Sequence, residues 1–457
     1  MKIVILNGSP KGNELSITMQ YFYYVRKYFP QHDYRIFAIG EKIKKIEGDP
    51  ATFAEIMDTV ADCDGLIWIF PVYITVVPAQ VKRFVELIAE NKKEDVFAGK
   101  YSTAITTSVY VFDITAHNYI HAVSEDLGMG FVRGYSASVA DLPKPECQKS
   151  FKNFFAHFIK TTENREAVPR QFNTVTWDNP VYRVPKMNGG PKSSEKRIVV
   201  LTDHQPETNL ANMVETFKVS SKYEVEVVNL NDVSIKGPCL GCLTCVFDGV
   251  CVYKDDMKQL YEQKLIPADA IIFAGTMVDR YLSSRWKTFW DRSFFNGHRP
   301  ILWGKQVAYL VSGPLRQNPN VTQFMEGLIL YSRAGLVGTV TDEAGDDDAT
   351  FNLIKQLAQN VDRRLEDGGI YQTSFHSLGT HLILRDLIYN ISFVLKADHE
   401  FFKENKLYDF PQKDWKARMT NILLTLLFKI PPIGRSARKE VKKMMVEPLQ
   451  KFVEKSG

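Results

Sequence analysis

The stretch Lys2–Thr18, KIVILNGSPKGNELSIT, decides how the rest of the chain is read. Lys2 to Leu6 is an unbroken apolar strand of the kind a parallel sheet buries on both faces. Asn7 to Asn13 is a turn of small, polar and hydroxyl residues. A helix follows from about Ser16, with Ile17, Tyr21, Val25 and Tyr28 on one face and Pro30 beyond its end. Strand, loop and helix in this order make a phosphate cradle, because loop N–H groups and the helix N-terminus face the anion.

The alternation continues outward. Tyr34 to Ile39 is a second strand, Ala51 to Ala61 a helix, Gly65 to Phe70 a third strand, Pro78 to Glu90 a helix and Tyr101 to Thr107 a fourth strand. Alternating strands and helices give a doubly wound parallel sheet, with ligand bound at the carboxyl ends of the strands. Around Met187 the segment MNGGPKSSEK, rich in Gly, Pro, Ser and charge, predicts a linker. The pattern then restarts. Arg197 to Leu201 (RIVVL) answers Lys2 to Leu6 at a spacing of 195 residues (2 to 197). Ala270 to Phe273 answers Gly65 to Trp68 at 205 (65 to 270), and Trp286 to Phe289 answers Val81 to Phe84 at the same spacing. The growth between strands one and three places an insertion after the second strand of the second copy. The predicted organisation is a domain over 1–185, a linker over 186–196, a second domain over 197–370 and a helical extension over 371–457.

That insertion holds the most specific chemical signal in the chain. In Pro238–Met257, PCLGCLTCVFDGVCVYKDDM, Cys239, Cys242 and Cys245 are three residues apart and Cys251 follows. Tight C-x2-C-x2-C runs are the usual form of iron–sulfur ligation. Zinc sites normally pair two C-x2-C knuckles across a longer loop, which fits poorly. A metal-free thiol loop is the plain alternative. The last gap and Val252 depart from the ferredoxin ending x3-C-P. Cys63 and Cys147 read as buried or incidental thiols.

The chain has 457 residues, 45% hydrophobic and 24% charged, with formal net charge +4. This charge is too mild to argue for nucleic acid. The first residues lack the apolar length and cleavage site of a signal peptide, and no apolar run reaches a membrane span. The sequence therefore predicts a cytoplasmic protein, where clustered cysteines favour metal over disulfide. From about Ser374 the alternation gives way to helices over His381–Ala397, Gln412–Ile430 and Arg435–Val453. Ile422 to Phe428 is apolar, and Arg435, Arg438, Lys439, Lys442 and Lys443 follow. The segment reads as a packed extension with a solvated charged face, an amphipathic membrane contact being the alternative. His117 and His121, four apart on a helix, have metal-ligand spacing without a third ligand. Asp346 to Asp348 reads as a solvated loop, and Lys254-Asp255-Asp256 as a helix start.

These residues resemble the flavodoxin-like NAD(P)H-dependent FMN reductases and, in the second half, the iron–sulfur flavoproteins of that superfamily. The resemblance rests on LNGSPKGNELSIT and FPVYITVVPAQVKRFVEL in the first copy. In the second it rests on CLGCLTC…GVC…KDDM and ADAIIFAG…SSRWKTFWDR. It covers about residues 1–370. It implies two flavodoxin-like doubly wound parallel-sheet domains in tandem, with a C-terminal helical extension that has no named counterpart. By this resemblance the FMN phosphate lies at Ser9, Lys11, Asn13, Ser16, Ile17 and Thr18, and Ser16 also suits a helix N-cap. The isoalloxazine lies against Pro71, Val72, Tyr73 and Ile74, and Thr107, Ser108, Val109 and Tyr110 complete the pocket. Tyr110 and Phe112 serve equally as core residues.

The second copy departs from the motif. Thr202-Asp203-His204-Gln205-Pro206-Glu207 replaces the phosphate loop with two carboxylates, which repel a phosphate dianion. Gly275 to Asp279 lacks the proline and tyrosine. The reading is one FMN, in domain one, with a [4Fe–4S] cluster on Cys239, Cys242, Cys245 and Cys251 in domain two. The donor is NAD(P)H or a ferredoxin-type protein, and the electron acceptor is open. No acid–base side chain is required, since flavin N5 is itself the hydride acceptor. A cluster-free quinone or nitro/azo reductase, and a non-catalytic electron carrier partnered with ferredoxin, are the rivals. Domain two is expected to close over the flavin of domain one within a single chain; a symmetric homo-oligomer is the other arrangement.

Overall fold

A computed structural model of the chain describes residues 1–138, 140–185, 190–296, 298–413 and 415–433. The first half runs β1 (Lys2–Asn7), α1 (Ile17–Val25), β2 (Asp33–Phe37), α2 (Ile43–Gly48), α3 (Pro50–Ala61) and β3 (Gly65–Pro71). It continues through α4 (Ala79–Glu90), β4 (Tyr101–Ser108), α5 (Asp113–Asp126), β5 (Gly130–Phe131), β6 (Tyr135–Ser138) and α6 (Pro145–Glu163). The strands pair in the order β2-β1-β3-β4-β5, and β6 extends β4 beyond β5. β1, β3 and β4 are almost wholly buried, the first two as apolar runs and β4 as a Ser/Thr-rich one, so each needs helices on both sides.

The second half repeats the plan. It comprises β7 (Ser193–Thr202), α7 (Asn209–Ser220), β8 (Tyr223–Asn229), the short α8 (Cys245–Asp248) and α9 (Met257–Gln259), and β9 (Ala270–Thr276). Then come α10 (Ser284–Arg292), β10 (Gln306–Ser312), α11 (Pro319–Tyr331), β11 (Gly335–Thr341) and α12 (Asp347–Glu366). The sheet order is β11-β10-β9-β7-β8, which is the first order read from the other edge. Registers repeat as well: Ile3 pairs with Gly65, and Ile198 pairs with Ala270. Both halves are parallel α/β sheets of flavodoxin-like order.

Registers also refine the insertion. Ile3 pairs with Tyr34 but Ile198 with Val225, so the spacing falls to 191 (34 to 225) at strand two before rising to 205 at strand three. The second half is four residues shorter before strand two and fourteen longer after it. The net growth of ten hides this.

Polar caps fix the helix starts. Ser16 Oγ accepts from Met19 N at α1, Thr208 caps α7 and Ser283 caps α10. Asp346, read as part of a solvated loop, is the N-cap of α12 and accepts from Ala349 N. Lys254-Asp255-Asp256 leads into α9, as read, but Asp255 is committed to a buried ion pair described below. β7 begins at Ser193, inside the segment read as linker; of that segment, 186–189 lie outside the described residues.

The chain divides into a compact unit Met1–His399 and a second unit beginning at Glu400. In the first unit α13 (Phe375–Asn390) begins with a Ser374 capping box, six residues before the predicted start; α14 (Lys396–Glu404) follows after a break and contains the boundary between the units. In the second unit α15 (Trp415–Lys429) leaves Ile422, Leu423 and Leu426 exposed. Among the described residues no helix is long and apolar enough to cross a membrane. The predicted helix over 435–453 and its basic residues lie outside the described residues.

Among the described residues three apolar clusters form the core. One covers the outer face of each sheet, and the third runs continuously through both halves, joining Trp68 and Phe84 to Phe273, Trp286 and Phe289. The halves meet through α4 and α10, related by the spacing of 205 (79 to 284). Asp291 Oδ2 accepts from Ala79 N (2.8 Å), the first amide of α4. Glu86 Oε1 accepts from Ser284 N (2.6 Å), the first amide of α10. Glu86 also holds Lys82 (2.6 Å), and Asp291 holds Lys287. Each helix thus carries the carboxylate that caps the other, where the helix dipole favours negative charge. This is an isologous contact made within one chain.

Candidate functional site

The loop after β1 is held by its own side chains. Asn7 Nδ2 donates to Gly12 O (3.0 Å) and Asn13 Oδ1 (2.9 Å), while Asn7 Oδ1 accepts from Ser9 N (2.9 Å). Ser9 Oγ accepts from Lys11 N (3.3 Å). Ser9, Ser16 and Thr18 are buried, and Thr18 Oγ1 lies 2.6 Å from Thr107 Oγ1, tying this loop to the end of β4. Gly8 has no room for a side chain, since an added Cβ would stand 2.1 Å from Val81 Cγ2. The structure therefore gathers Ser9, Lys11, Asn13, Ser16, Ile17 and Thr18 at the carboxyl end of β1, with Ile17 facing outward.

The loops after β3 and β4 stand beside it. Pro71 closes β3, and Val72 N donates to Thr107 O (2.9 Å). Thr75, Tyr110 and Phe112 have φ of 62°, 62° and 56°, in the left-handed region that costs a non-glycine residue energy. Backbone strain of this kind clusters at ligand sites. Tyr110 N donates to Ser108 Oγ (2.9 Å), and Tyr110 OH donates to Asp141. Lys144 and then Tyr110 hold the Asp141 carboxyl down to about 2. Tyr110 is half exposed rather than a core residue. Phe112 precedes the first residue of α5 and lines a cavity with Val72, Tyr73, Ile74 and Val109.

The second copy fills the equivalent cradle. Asp203 stands where the first copy has Gly8, and it is mostly enclosed. Ser283 Oγ donates to it, Oδ1 has no partner, and burial pushes its carboxyl up. Asp279, in the place of the isoalloxazine loop, binds Lys82 (3.2 Å) and accepts from Tyr119 OH (2.8 Å). Asp279 thus serves the contact between the halves, while Asp203 bonds within the second half.

The cysteine loop of the second half lies on the first half's loops. Gln80 Nε2 donates to Cys239 O (2.8 Å), and Lys44 Nζ donates to Lys236 O (2.6 Å). Gly241 has φ of 61°, and a Cβ there would stand 2.2 Å from Tyr73 OH and 3.2 Å from Lys11 Cε. Only glycine allows this approach. Tyr73 also faces the Phe294 ring, with centroids 6.4 Å apart.

Cys239, Cys242, Cys245 and Cys251 line one small cavity together with Arg292, Tyr253 and Phe294. Cys242 is exposed and the other three are half-buried. Burial pushes the Cys239 thiol up to about 12 and Cys245 to about 11. The Arg292 guanidinium is fully buried, bonded to Asp255 (2.8 and 2.9 Å) and Gly237 O (3.0 Å), and stacked 4.4 Å over Tyr253. Its Nε has no hydrogen-bond partner. A buried cation with an unspent donor, walled in with four thiols, suits an anionic cluster of thiolates. The sulfurs are not drawn together: among the described residues no three His, Cys, Asp or Glu side chains are grouped to hold a metal ion. The cavity of about 20 Å³ must open around any cluster. Arg292 and Asp255 were missed in the sequence, where a buried arginine is indistinguishable from a surface one.

His117 and His121 do not form a ligand pair. His117 Nε2 is 2.8 Å from Thr106 Oγ1, and His121 Nε2 is 2.9 Å from Glu125 Oε1. Burial pulls the His117 imidazole down to about 4, Asp113 opposing this and Arg133 and His121 adding to it. Stability from keeping His117 neutral is complete above its unfolded value near 6.5 and is lost as pH falls toward 4. Urea unfolding at pH 7 and pH 5 is expected to show a loss of about 2 kcal/mol that is absent in His117→Gln. An equal loss in the variant would assign it to other groups. Cys63 is buried, and burial pushes its thiol up to about 11.

A family model for NADPH-dependent FMN reductase matches residues 1–141 and again 206–343. An iron-sulfur flavoprotein of Archaeoglobus fulgidus is 31% identical over 192 residues, which span 40% of this chain and 86% of that protein. An apo NADH:FMN oxidoreductase structure is 20% identical with TM-score 0.31, covering 35% of this chain and 89% of that one. An NAD(P)H:quinone oxidoreductase from Methanothermobacter marburgensis is 16% identical with TM-score 0.30, covering 38% of this chain and 97% of that one.

Proposed function

The chain belongs to the NADPH-dependent FMN reductase family, and we propose that its two copies have divided the work of an NAD(P)H-dependent FMN oxidoreductase. The domain at 1–185 holds the single FMN and the domain at 197–370 holds a [4Fe–4S] cluster. Electrons pass between them to an acceptor. The observation that carries this reading is the seat of Gly241 against Tyr73 OH and Lys11, which sets the cysteine loop on the flavin loops of the same chain.

Ser9, Ser16, Thr18 and the loop amides bind the phosphate, Lys11 supplies positive charge, and Asn13 and Ile17 shape the loop. Pro71, Val72, Tyr73 and Ile74 hold the ring on one side, and Thr107, Ser108, Val109 and Tyr110 on the other. FMN supplies hydride acceptance and one-electron release; the protein supplies position. Cys239, Cys242, Cys245 and Cys251 ligate the cluster, with Arg292 balancing its charge. The relative from Archaeoglobus fulgidus, an iron-sulfur flavoprotein, supports this assignment.

Anaerobic purification with quantification of FMN, iron and sulfide tests the reading. One FMN, four iron and four sulfide per chain are expected. Serine at any of the four cysteines removes or weakens the cluster, whereas serine at Cys63 or Cys147 leaves it intact. Iron retained by the quadruple variant, or a purified chain that takes up FMN but never iron, defeats the cluster assignment.

A further inference from the structure

Beside the flavin loops, and sharing Val72, Tyr73, Ile74 and Val109 with them, lies a cavity of about 140 Å³ that extends to residues of the second half. Val72 to Thr75, with Val109, Val111 and Phe112, form one side of it. The second half supplies aromatic walls from Tyr261, Phe289, Trp290 and Phe294, and α13 adds Thr380 and Leu384. α13 is clamped to the first half where His376 stacks on Phe112, with ring centroids 5.7 Å apart and planes at 13°. An apolar cavity of about 150 Å³ admits benzene, so this space takes one aromatic ring.

Among these mostly apolar walls, which also carry Ser293, Asn296, Arg299 and Ser332, stands an anchored imidazole. His298 Nδ1 is 2.8 Å from Asp398 Oδ2, and His298 N donates to Asp398 Oδ1 (3.2 Å). Asp398 is buried, Arg299 Nε lies 3.6 Å from it, and Tyr331 OH donates to His298 O. The ionised carboxylate can only accept, so Nδ1 carries the proton. Nε2 has no protein partner among the described residues. A neutral His298 accepts there from a ligand hydroxyl, and a protonated one donates to a ligand carbonyl.

We propose that the second half and α13 build, at the flavin loops, a binding site for an apolar single-ring molecule bearing a hydroxyl or carbonyl oxygen, with His298 Nε2 bonding that oxygen. Asp398 is the positioning residue that fixes the ring. The proposal rests on the flavin reading only for its purpose: it gives the helical extension a part in selecting what meets the flavin. Mostly apolar walls set the shape, and a placed polar group, His298, sets orientation.

The test measures binding of 4-ethylphenol and ethylbenzene by calorimetry to the full chain, FMN-free and FMN-loaded. 4-Ethylphenol is expected to bind about tenfold more tightly than ethylbenzene, the worth of one buried hydrogen bond. His298→Phe should erase that preference while ethylbenzene still binds. Leu384→Trp, which leaves the His298–Asp398 pair untouched, should weaken both probes at least tenfold by filling the cavity. A nitrogen-15 spectrum should show the His298 Nε2 resonance move with 4-ethylphenol and not with ethylbenzene. Equal affinities, or probe binding unaffected by Leu384→Trp, overturn the proposal. Loss of both probes on FMN loading overturns it too, since the cavity is then the flavin's own seat and the flavin reading stands. A chain that binds the probes as expected but takes up no FMN defeats the flavin reading alone.

Discussion

Replacing Asp291 with alanine is expected to destabilise the folded chain by about 3–5 kcal/mol in urea unfolding at neutral pH. Lys287 and Asp291 are both fully buried. Burial pushes the lysine down and the aspartate up, each opposed by its partner. Alanine leaves the ammonium without a counter-charge and strips the cap from Ala79 N at the start of α4. Breaking one side of such a pair costs more than removing both, because the loss is the desolvation of an abandoned charge. Lys287→Met with Asp291→Leu is therefore expected to cost less than Asp291→Ala alone, retaining only the uncapped amide's penalty of about 1–3 kcal/mol. Glu86→Ala strikes the symmetry-related point, where Lys82 keeps Asp279 as a second partner, so its cost should be smaller. A loss below about 1 kcal/mol for Asp291→Ala would show that the charged pair does not hold the halves together.

Ser9→Glu is expected to weaken FMN binding by one to three orders of magnitude while leaving the fold intact. Ser9 is buried in the loop after β1, and its Oγ caps Lys11 N. A carboxylate about 4 Å from a phosphate charge costs about 1 kcal/mol in bulk water and about 4 kcal/mol at an effective dielectric of 20. Asp203 already imposes a comparable burden on the second copy. Fluorescence titration of the flavin checks both points: wild type saturates at one FMN per chain, and Ser9→Glu needs far more to reach it. Saturation at two would mean that Asp203 does not bar the second cradle.

Much of this was legible in order of local necessity. Buried parallel strands need continuous apolar runs, so β1, β3, β7 and β9 declare themselves, and the paired spacings expose the repeat. The acidified loop at Asp203 was readable because one added carboxylate changes a site's charge wherever the backbone goes. Pairings distant in sequence were not readable. Asp398 meets His298 a hundred positions away, and Asp255 of the inserted loop meets Arg292 at the end of α10, thirty-seven positions on; spacing carries no trace of either. The left-handed backbone at Thr75, Tyr110 and Phe112 was hidden too, since tertiary contacts impose it on residues that do not favour it. The break between α13 and α14 lies at Ile391–Leu395, a stretch whose composition gives no stop signal.

The reciprocal capping of α4 and α10 bears on how such a chain can change over time. In an assembly of two identical subunits every substitution lands twice, so a residue that spoils a cofactor seat spoils both seats. Joining the copies ends that double jeopardy. Asp203 could enter one cradle, and fourteen residues could be added after one strand, with the mirror position left as it was. Because Asp291 and Glu86 keep the two-fold clasp, each side can change without the contact between them being lost. On the proposed division of cofactors, electrons cross this clasp in one direction, where two identical subunits would run two.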